Sequence, residues 1–352
     1  MLEKEKIFLN KSELINAINI SSGIYKPLDR FCNLNDYKSI ISKKILNKNK
    51  LWTVPILLNL KKNRKIQIGR KYYLYFKTKK IGVIEAASVF RIEKKKFCKA
   101  LFNTNSKLHP SVNKIYREHN LYLGGKIKLL KKYYVRDKNF VFNDYNNNKK
   151  VFINTVVFTS RNICHLGHEL IHKYLVNKNK KLCICIIEND KNKYDPQFII
   201  NSYKKLKVKN TYKNVKINKI FLPSLMAGPR EAVLQAICFQ NMGFQSIVIG
   251  RNHAGYKNYF KKYEAQKIFN NIKKININII KVREPKICLF CKKVFFENKV
   301  LCKCKKNRKF SPINGSRIKK LLLKSDYSNA KNFLNPLILQ YCKKNISILR
   351  KF

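Results

Sequence analysis

The stretch FTSRNICHLGHELIHKYL, residues 158–175, decides how this chain is read. It ends the apolar, strand-like run VFINTVVF (151–158) with a polar loop and then begins a helix. A strand, an anion-handling loop and a helix N-terminus in that order suit nucleotide chemistry. His165 and His168 stand three apart, so on the first helical turn they share a face with Cβ atoms about 5–6 Å apart. Both imidazoles can then reach one phosphate chain. Arg161 and Asn162 occupy the preceding loop, and the helix start adds free N–H groups and a partial positive charge.

Outward from this stretch, MAGPREAVLQAI (226–237) and SIVIGRNHAG (246–255) each set an arginine near glycine where a helix or strand is flanked by a loop. From Val151 to about Val282, strand-like runs (KLCICIIE, KINKIFLP, QSIVIG) alternate with helical ones (HELIHKYLV, REAVLQAICFQN, EAQKIFNNI). That alternation predicts a Rossmann-like domain of βαβ units, with a parallel sheet and ligands at the strand C-termini. Before it, β-branched and aromatic runs such as KYYLYF and KIGVIEAASVF, broken by Gly, Asn and Lys turns, predict a mostly β, barrel-like unit. The polar run DYNNNKK (144–150) reads as a linker. The chain is thus expected to be α/β in class, with domains at 1–150, 151–283 and 284–352.

The last of these opens with CLFCKKVFFENKVLCKC (288–304). Cys288 and Cys291 form a CxxC pair, with Cys302 and Cys304 about one hairpin later, a thiolate set that suits structural Zn²⁺. Eleven cysteines, an odd number scattered through apolar segments, fit a reducing compartment better than a disulfide framework. No apolar leader or stretch of about 20 apolar residues is present, so a cytoplasmic protein is expected. The formal charge of +58 would ordinarily point to nucleic acid. Here lysine is spread over the whole length together with Asn, Ile, Tyr and Phe, the residues of A+T-rich codons, and nucleic acid is not expected as a partner.

Three motifs in order at similar spacing resemble the ATP-sulfurylase (sulfate adenylyltransferase) family, which carries Q-T-R-N-P-x-H-x-x-H, A-G-P-R-E-A and G-R-D-H-A-G. SSGIYKPLDRFCNLNDY (21–37), LHPSVNKIYREHNLYLGGKI (108–127) and NGSRIKKLLLKS (314–325) resemble the family's flanking segments, so the likeness spans nearly the whole chain. The resemblance implies transfer of the adenylyl group of ATP, with Mg²⁺, to sulfate, giving adenosine 5′-phosphosulfate and pyrophosphate. It assigns the catalytic site to Ser160, Arg161, Asn162, His165, His168 and Arg251. ATP falls to Thr159, Ser160, Arg161, Asn162, Gly250, Arg251, Asn252 and His253, and sulfate to Arg161 and the backbone at Ala254. Relatives form homo-oligomers, and those with a zinc site often use a histidine as fourth ligand; no histidine follows His253 here, so either Cys304 takes that place or the site is incomplete. No fused kinase domain is expected after Phe352.

The supporting residues depart from the family pattern. Thr159 and Ser160 replace Gln and Thr, Ile163 replaces the Pro, and Asn252 replaces the Asp of G-R-D-H, removing a charge that could orient Arg251. Arg230 and Glu231 are expected to form a structural ion pair, His172 to lie on a helix face and His109 to be structural. A different H-x-G-H nucleotidyltransferase, acting on a phosphopantetheine or mononucleotide, and a basic nucleic-acid-binding protein with a degenerate site are the alternatives. Neither explains three motifs in order.

Overall fold

The computed structural model describes residues 5–46, 49–130, 152, 154–178, 180–188, 194–299, 302, 304 and 309–350; the linker expected at 144–150 lies outside them. By contacts the chain forms two compact units built from alternating segments. The first comprises Met1–Phe152, Phe221–Phe244 and Asn252–Asn278, and the second Ile153–Ile220, Gln245–Arg251 and Ile279–Phe352.

In the first unit, β1 (Lys6–Leu9), β2 (Arg30–Phe31), β3 (Leu58–Asn59), β4 (Lys71–Phe76), β5 (Lys79–Phe90) and β6 (Tyr122–Leu129) form one sheet in the order β1-β4-β5-β6-β2, with β3 also on β6. The strands are antiparallel except for the parallel pair β1 and β4. Among the described residues the end strands do not pair, so the sheet is open rather than a closed barrel. At four and two residues they are too short to wrap it round. Gly124 and Gly125 of the YLGG segment have a steric reason: a Cβ on Gly125 would lie 2.0 Å from the Glu85 carbonyl oxygen, and one on Gly124 2.5 Å from the Asn33 Cα.

Among the described residues four helices of the N-terminal segment accompany this sheet: α1 (Lys11–Ser21), α2 (Leu34–Lys43), α3 (Lys94–Phe102) and α4 (Pro110–Arg117). The first two start at capping boxes, Asn10 with Glu13 and Asn33 with Asp36, which satisfy the free N–H groups of the first turn from both sides. Asp36 also receives two bonds of 2.9 Å from Arg30, so the charged end of PLDRF anchors the start of α2.

In the second unit, β7 (Thr155–Ser160) is followed by α5 (Leu166–Val176), β8 (Lys181–Glu188), α6 (Pro196–Lys204) and β9 (Lys216–Phe221). Helix α7 (Gly228–Asn241) falls within the first unit, and the chain returns to the second with β10 (Ser246–Ile249) and β11 (Asn278–Lys281). Sheet order is β9-β8-β7-β10-β11, with β8 and β10 both parallel to β7. Val156, Phe158, Leu182, Ile184 and Ile186 of the sheet join Ile171 and Leu175 of α5 and Phe198 and Ile199 of α6 in one buried cluster. At about 1.5–3 kcal/mol for each large apolar side chain removed from water, this layer holds α5 on the sheet. Strand β7 leads to β8 on one side while β10 enters on the other, so the C-terminal end of β7 is a topological switch point, where open α/β sheets take ligands. Among the described residues no helix is long and apolar enough to cross a membrane.

Candidate active site

The loop after β7 is tied by its own side chains. The buried Ser160 hydroxyl accepts from the Asn162 N–H at 3.1 Å and donates to the Asn162 carbonyl at 3.0 Å. The Asn162 side chain lies so close to Gly315 that a Cβ there would come within 3.0 Å of it, which packs the NGSR segment onto the loop. His165 is the N-cap of α5, and its Nδ1 accepts from the His168 backbone N–H at 3.2 Å. A ring nitrogen that accepts carries no proton, so neutral His165 is protonated on Nε2. The His165 and His168 rings stack with centroids 3.7 Å apart and planes 26° from parallel. Burial holds His165 down at about 4, and burial followed by the neighbouring His165 and His172 holds His168 well below the usual histidine range. At neutral pH the pair therefore offers N–H donors, and formal positive charge must come from arginine.

The second arginine arrives on the neighbouring strand. Parallel to β7, β10 ends at Ile249 and runs into Gly250 and Arg251 at the same edge of the sheet as Arg161. Arg251 Nη1 is 3.0 Å from Glu284 Oε1, and Glu284 is buried. The charge that Asn252 does not supply is thus supplied by Glu284, 33 residues beyond Arg251, which no local pattern singles out.

His172 is fully buried, beyond the helix-face position expected of it: its Nδ1 lies 2.8 Å from the Tyr212 hydroxyl, Phe158 meets its ring edge-on at 4.5 Å, and its Nε2 has no hydrogen-bond partner among the described residues. Burial, then the charge of His165, brings it down to about 3. A histidine kept neutral by the fold is protonated first in the unfolded chain. Its stability contribution is therefore whole above about pH 6.5 and is lost as pH falls toward the folded values. Between pH 7 and 4.5 His172 alone should cost about 2–3 kcal/mol of unfolding free energy. Urea denaturation at the two pH values measures it, and His172→Gln should flatten the acid limb; an unchanged limb in that variant would place the acid sensitivity elsewhere.

The remaining motif residues belong to the first unit, which the chain enters between Arg251 and Asn252. Here the AGPRE and NHAG segments are joined by a hydrogen bond of 3.0 Å from the Gly228 N–H to the Ala254 carbonyl. Gly228 and Ala254 both have positive φ, +51° and +54°, and a Cβ on Gly228 would meet the Phe260 ring at 2.6 Å. His253 Nε2 is 2.9 Å from Gln235 Oε1, and Gln235 in turn donates to Glu231 at 3.0 Å. The expected ion pair between Arg230 and Glu231 does not form. The Arg230 guanidinium donates to the carbonyls of Ile40, Ile41 and Thr53, while Glu231 accepts from the N–H groups of Leu225 and Ala227. Consecutive helical residues point in different directions, so each serves its own stretch of backbone. His109 is buried as the N-cap of α4, accepts from Ser111 N–H, and reaches the Met226 carbonyl through Nε2 at 3.2 Å; it holds the loop before α7 in place.

Strands β12 (Pro285–Cys288), β13 (Val294–Phe296) and β14 (Phe310–Pro312) form a small antiparallel sheet in the second unit. Next to it the Sγ atoms of Cys288, Cys291, Cys302 and Cys304 lie within 4.8 Å of one another, with Cys291 and Cys302 3.4 Å apart and Cys302 and Cys288 3.6 Å apart. Four sulfurs held tetrahedrally at about 2.3 Å from a metal would be about 3.8 Å apart, so the spacing of the four Sγ atoms fits such an ion. The Cys291 backbone N–H draws the Cys288 thiol down to about 7, which favours the thiolate a metal requires.

A family model described as ATP-sulfurylase matches residues 144–344. The chain belongs to the ATP-sulfurylase family. A PUA-like domain model matches residues 2–132, the part of the chain that builds the open sheet. Family relatives include a sulfate adenylyltransferase of Pyrococcus abyssi (strain GE5 / Orsay), 28% identical over 96% of this chain and 92% of its own. Another is a sulfate adenylyltransferase of Ignicoccus hospitalis, 28% identical over 91% of this chain and 88% of its own. Among solved structures the chain is similar to a hexameric APS kinase from Thiobacillus denitrificans, with a TM-score of 0.70 at 12% identity. The match covers 96% of this chain and 62% of that one, and at such identity the likeness is one of fold.

Proposed function

We propose that this protein transfers the adenylyl group of MgATP to sulfate, forming adenosine 5′-phosphosulfate and pyrophosphate. The observation that carries this reading is the placing of Arg161 with the paired histidines after β7, and of Arg251 after the adjacent parallel β10, in a chain of the ATP-sulfurylase family. A sulfate oxygen attacks the α-phosphorus in line, the new S–O–P bridge forms, and the bond to pyrophosphate breaks. Sulfate is fully ionised near neutral pH, so the step needs no general base and no covalent nucleophile. The obstacle is the approach of a dianion to a polyanion, and positioning with charge neutralisation overcomes it.

In this reading the Arg161 fork holds sulfate, because a guanidinium donates two parallel bonds to an oxyanion. His165 and His168 donate N–H bonds to the α- and β-phosphates, and Arg251 neutralises the charge that grows as pyrophosphate leaves. Ser160 and Asn162 shape the loop, while Thr159 and Gly250 bound the nucleotide. The four thiolates of Cys288, Cys291, Cys302 and Cys304 would hold a structural Zn²⁺, the ion their donor set suits. A cytoplasmic homo-oligomer is the setting this reading gives.

The test is release of pyrophosphate from ATP in the presence of Mg²⁺ with and without sulfate. Release only with sulfate supports the reaction; equal release without it, alongside transfer to a phosphopantetheine or mononucleotide acceptor, replaces it with the broader nucleotidyltransferase alternative. In the same assay Glu284→Gln, which keeps the shape but removes the charge that holds Arg251 at 3.0 Å, should lower kcat by about 10-fold with the KM for sulfate little changed. A parental kcat in that variant would show that Arg251 needs no such anchor.

A further inference from the structure

We propose that Tyr203 is a positioning residue that fixes His168 as the Nε2–H tautomer, so that His165 and His168 act as two matched neutral donors toward the polyphosphate. The proposal rests on the adenylyl-transfer reading for its chemistry, while its geometry stands apart from it. Tyr203 lies on α6, 35 residues beyond His168; it is fully buried, and its hydroxyl is 3.2 Å from His168 Nδ1. A buried phenol must place its proton, since an unsatisfied buried donor is costly. Ser160 and Cys164 also lie beside the Tyr203 oxygen. The Ser160 hydroxyl already gives its proton to the Asn162 carbonyl, and the Cys164 thiol is bonded at 3.7 Å to Tyr212. A neutral imidazole nitrogen is a better acceptor than a thiol or a hydroxyl, so the Tyr203 proton goes to His168 Nδ1.

The consequence follows from the one proton a neutral imidazole carries. With Nδ1 accepting from Tyr203, the His168 proton sits on Nε2. His165 is already in that state, because its Nδ1 accepts from the His168 backbone N–H. Two rings stacked 3.7 Å apart are thus locked in the same tautomer by unlike partners, one a backbone amide and the other a phenol. Burial supports the arrangement from both ends: it raises the Tyr203 hydroxyl well above its usual value and keeps His168 neutral. A ring in the other tautomer would present a lone pair, not a donor, to a phosphate oxygen.

The experiment is ¹⁵N NMR of the histidine rings in protein labelled at histidine, feasible because the chain has six, with the His168 signals assigned by their loss in His168→Gln. In the parent protein His168 should show a protonated Nε2 and an unprotonated Nδ1. In Tyr203→Phe the two tautomers should mix, and kcat should fall by about 10–100-fold, the range for losing a partner that orients a ligand histidine, while the KM values for ATP and sulfate stay within about twofold. A parent protein with the proton on Nδ1 overturns the proposal, whatever the variant does. So does a folded Tyr203→Phe that keeps both the tautomer and the turnover. If the variant fails to fold, the parent spectrum alone decides. An Nε2–H pattern in a protein without sulfate-dependent pyrophosphate release upholds the tautomer and overturns only the reaction.

Discussion

Replacing Arg251 with alanine is expected to lower kcat for sulfate-dependent pyrophosphate release by about 10²–10³-fold, the loss seen when one preorganised oxyanion donor is removed. The KM for sulfate should move little, because an interaction made chiefly in the transition state acts on the rate constant. Arg161→Ala should do the reverse and chiefly raise the sulfate requirement. His165 needs a different substitution. Its Nδ1 caps α5, so alanine would also cost about 1 kcal/mol of helix capping. His165→Asn keeps a capping side chain and removes the ring, and should lower kcat about as far as Arg251→Ala while leaving the melting temperature near parental. Steady-state kinetics with ATP and sulfate varied separately separate these outcomes. Near-parental turnover in the variants at both 165 and 251 would move the active site to other loops.

These residues were legible because local pattern carries them. A strand, a short polar loop and a capped helix occupy 22 consecutive residues from Thr155 to Val176, and the apolar run that ends at Gly250 marks a second strand. What supports them is remote in sequence and left no local trace. Glu284 beside Arg251 and Tyr203 beside His168 are an ordinary acid and an ordinary aromatic until the fold brings them near. The place of α7 was hidden for another reason: every residue from Gly228 to Phe239 is buried, and a helix buried all round has no polar face to show which neighbours it joins. Pattern along a chain can mark only contiguous blocks, whereas α7 and the segment after Arg251 belong to one compact unit with the N-terminal segment. In that first unit the strand periodicity of KYYLYF and KIGVIEAASVF is the strongest local pattern. The signs of α1 and α2 were only four residues long each, Asn10 to Glu13 and Asn33 to Asp36.

Serine in place of Cys291 should lower the melting temperature of the protein by on the order of 10 °C and abolish binding of one Zn²⁺ per chain. Strands β12, β13 and β14 contribute four, three and three residues, too few to stand as an independent sheet. Their apolar contribution is correspondingly small, with Ile287 buried and Phe296 half-buried against Tyr174 of α5 at 5.6 Å between ring centroids. A metal that draws four thiolates together supplies what that core lacks. Elemental analysis of protein purified without chelator, followed by thermal denaturation before and after chelation, measures both parts of the expectation. Protein free of zinc would remove the site, and loss of zinc without a fall in melting temperature would remove its structural role. The ribbon is also joined to the chemistry through Glu284, which immediately precedes β12 and holds Arg251. Cys291→Ser, assayed well below its lowered melting temperature, should therefore show the same fall in kcat as Glu284→Gln, and the double variant should be no slower than the single ones. Additive losses would mean that metal and carboxylate act on turnover by separate routes.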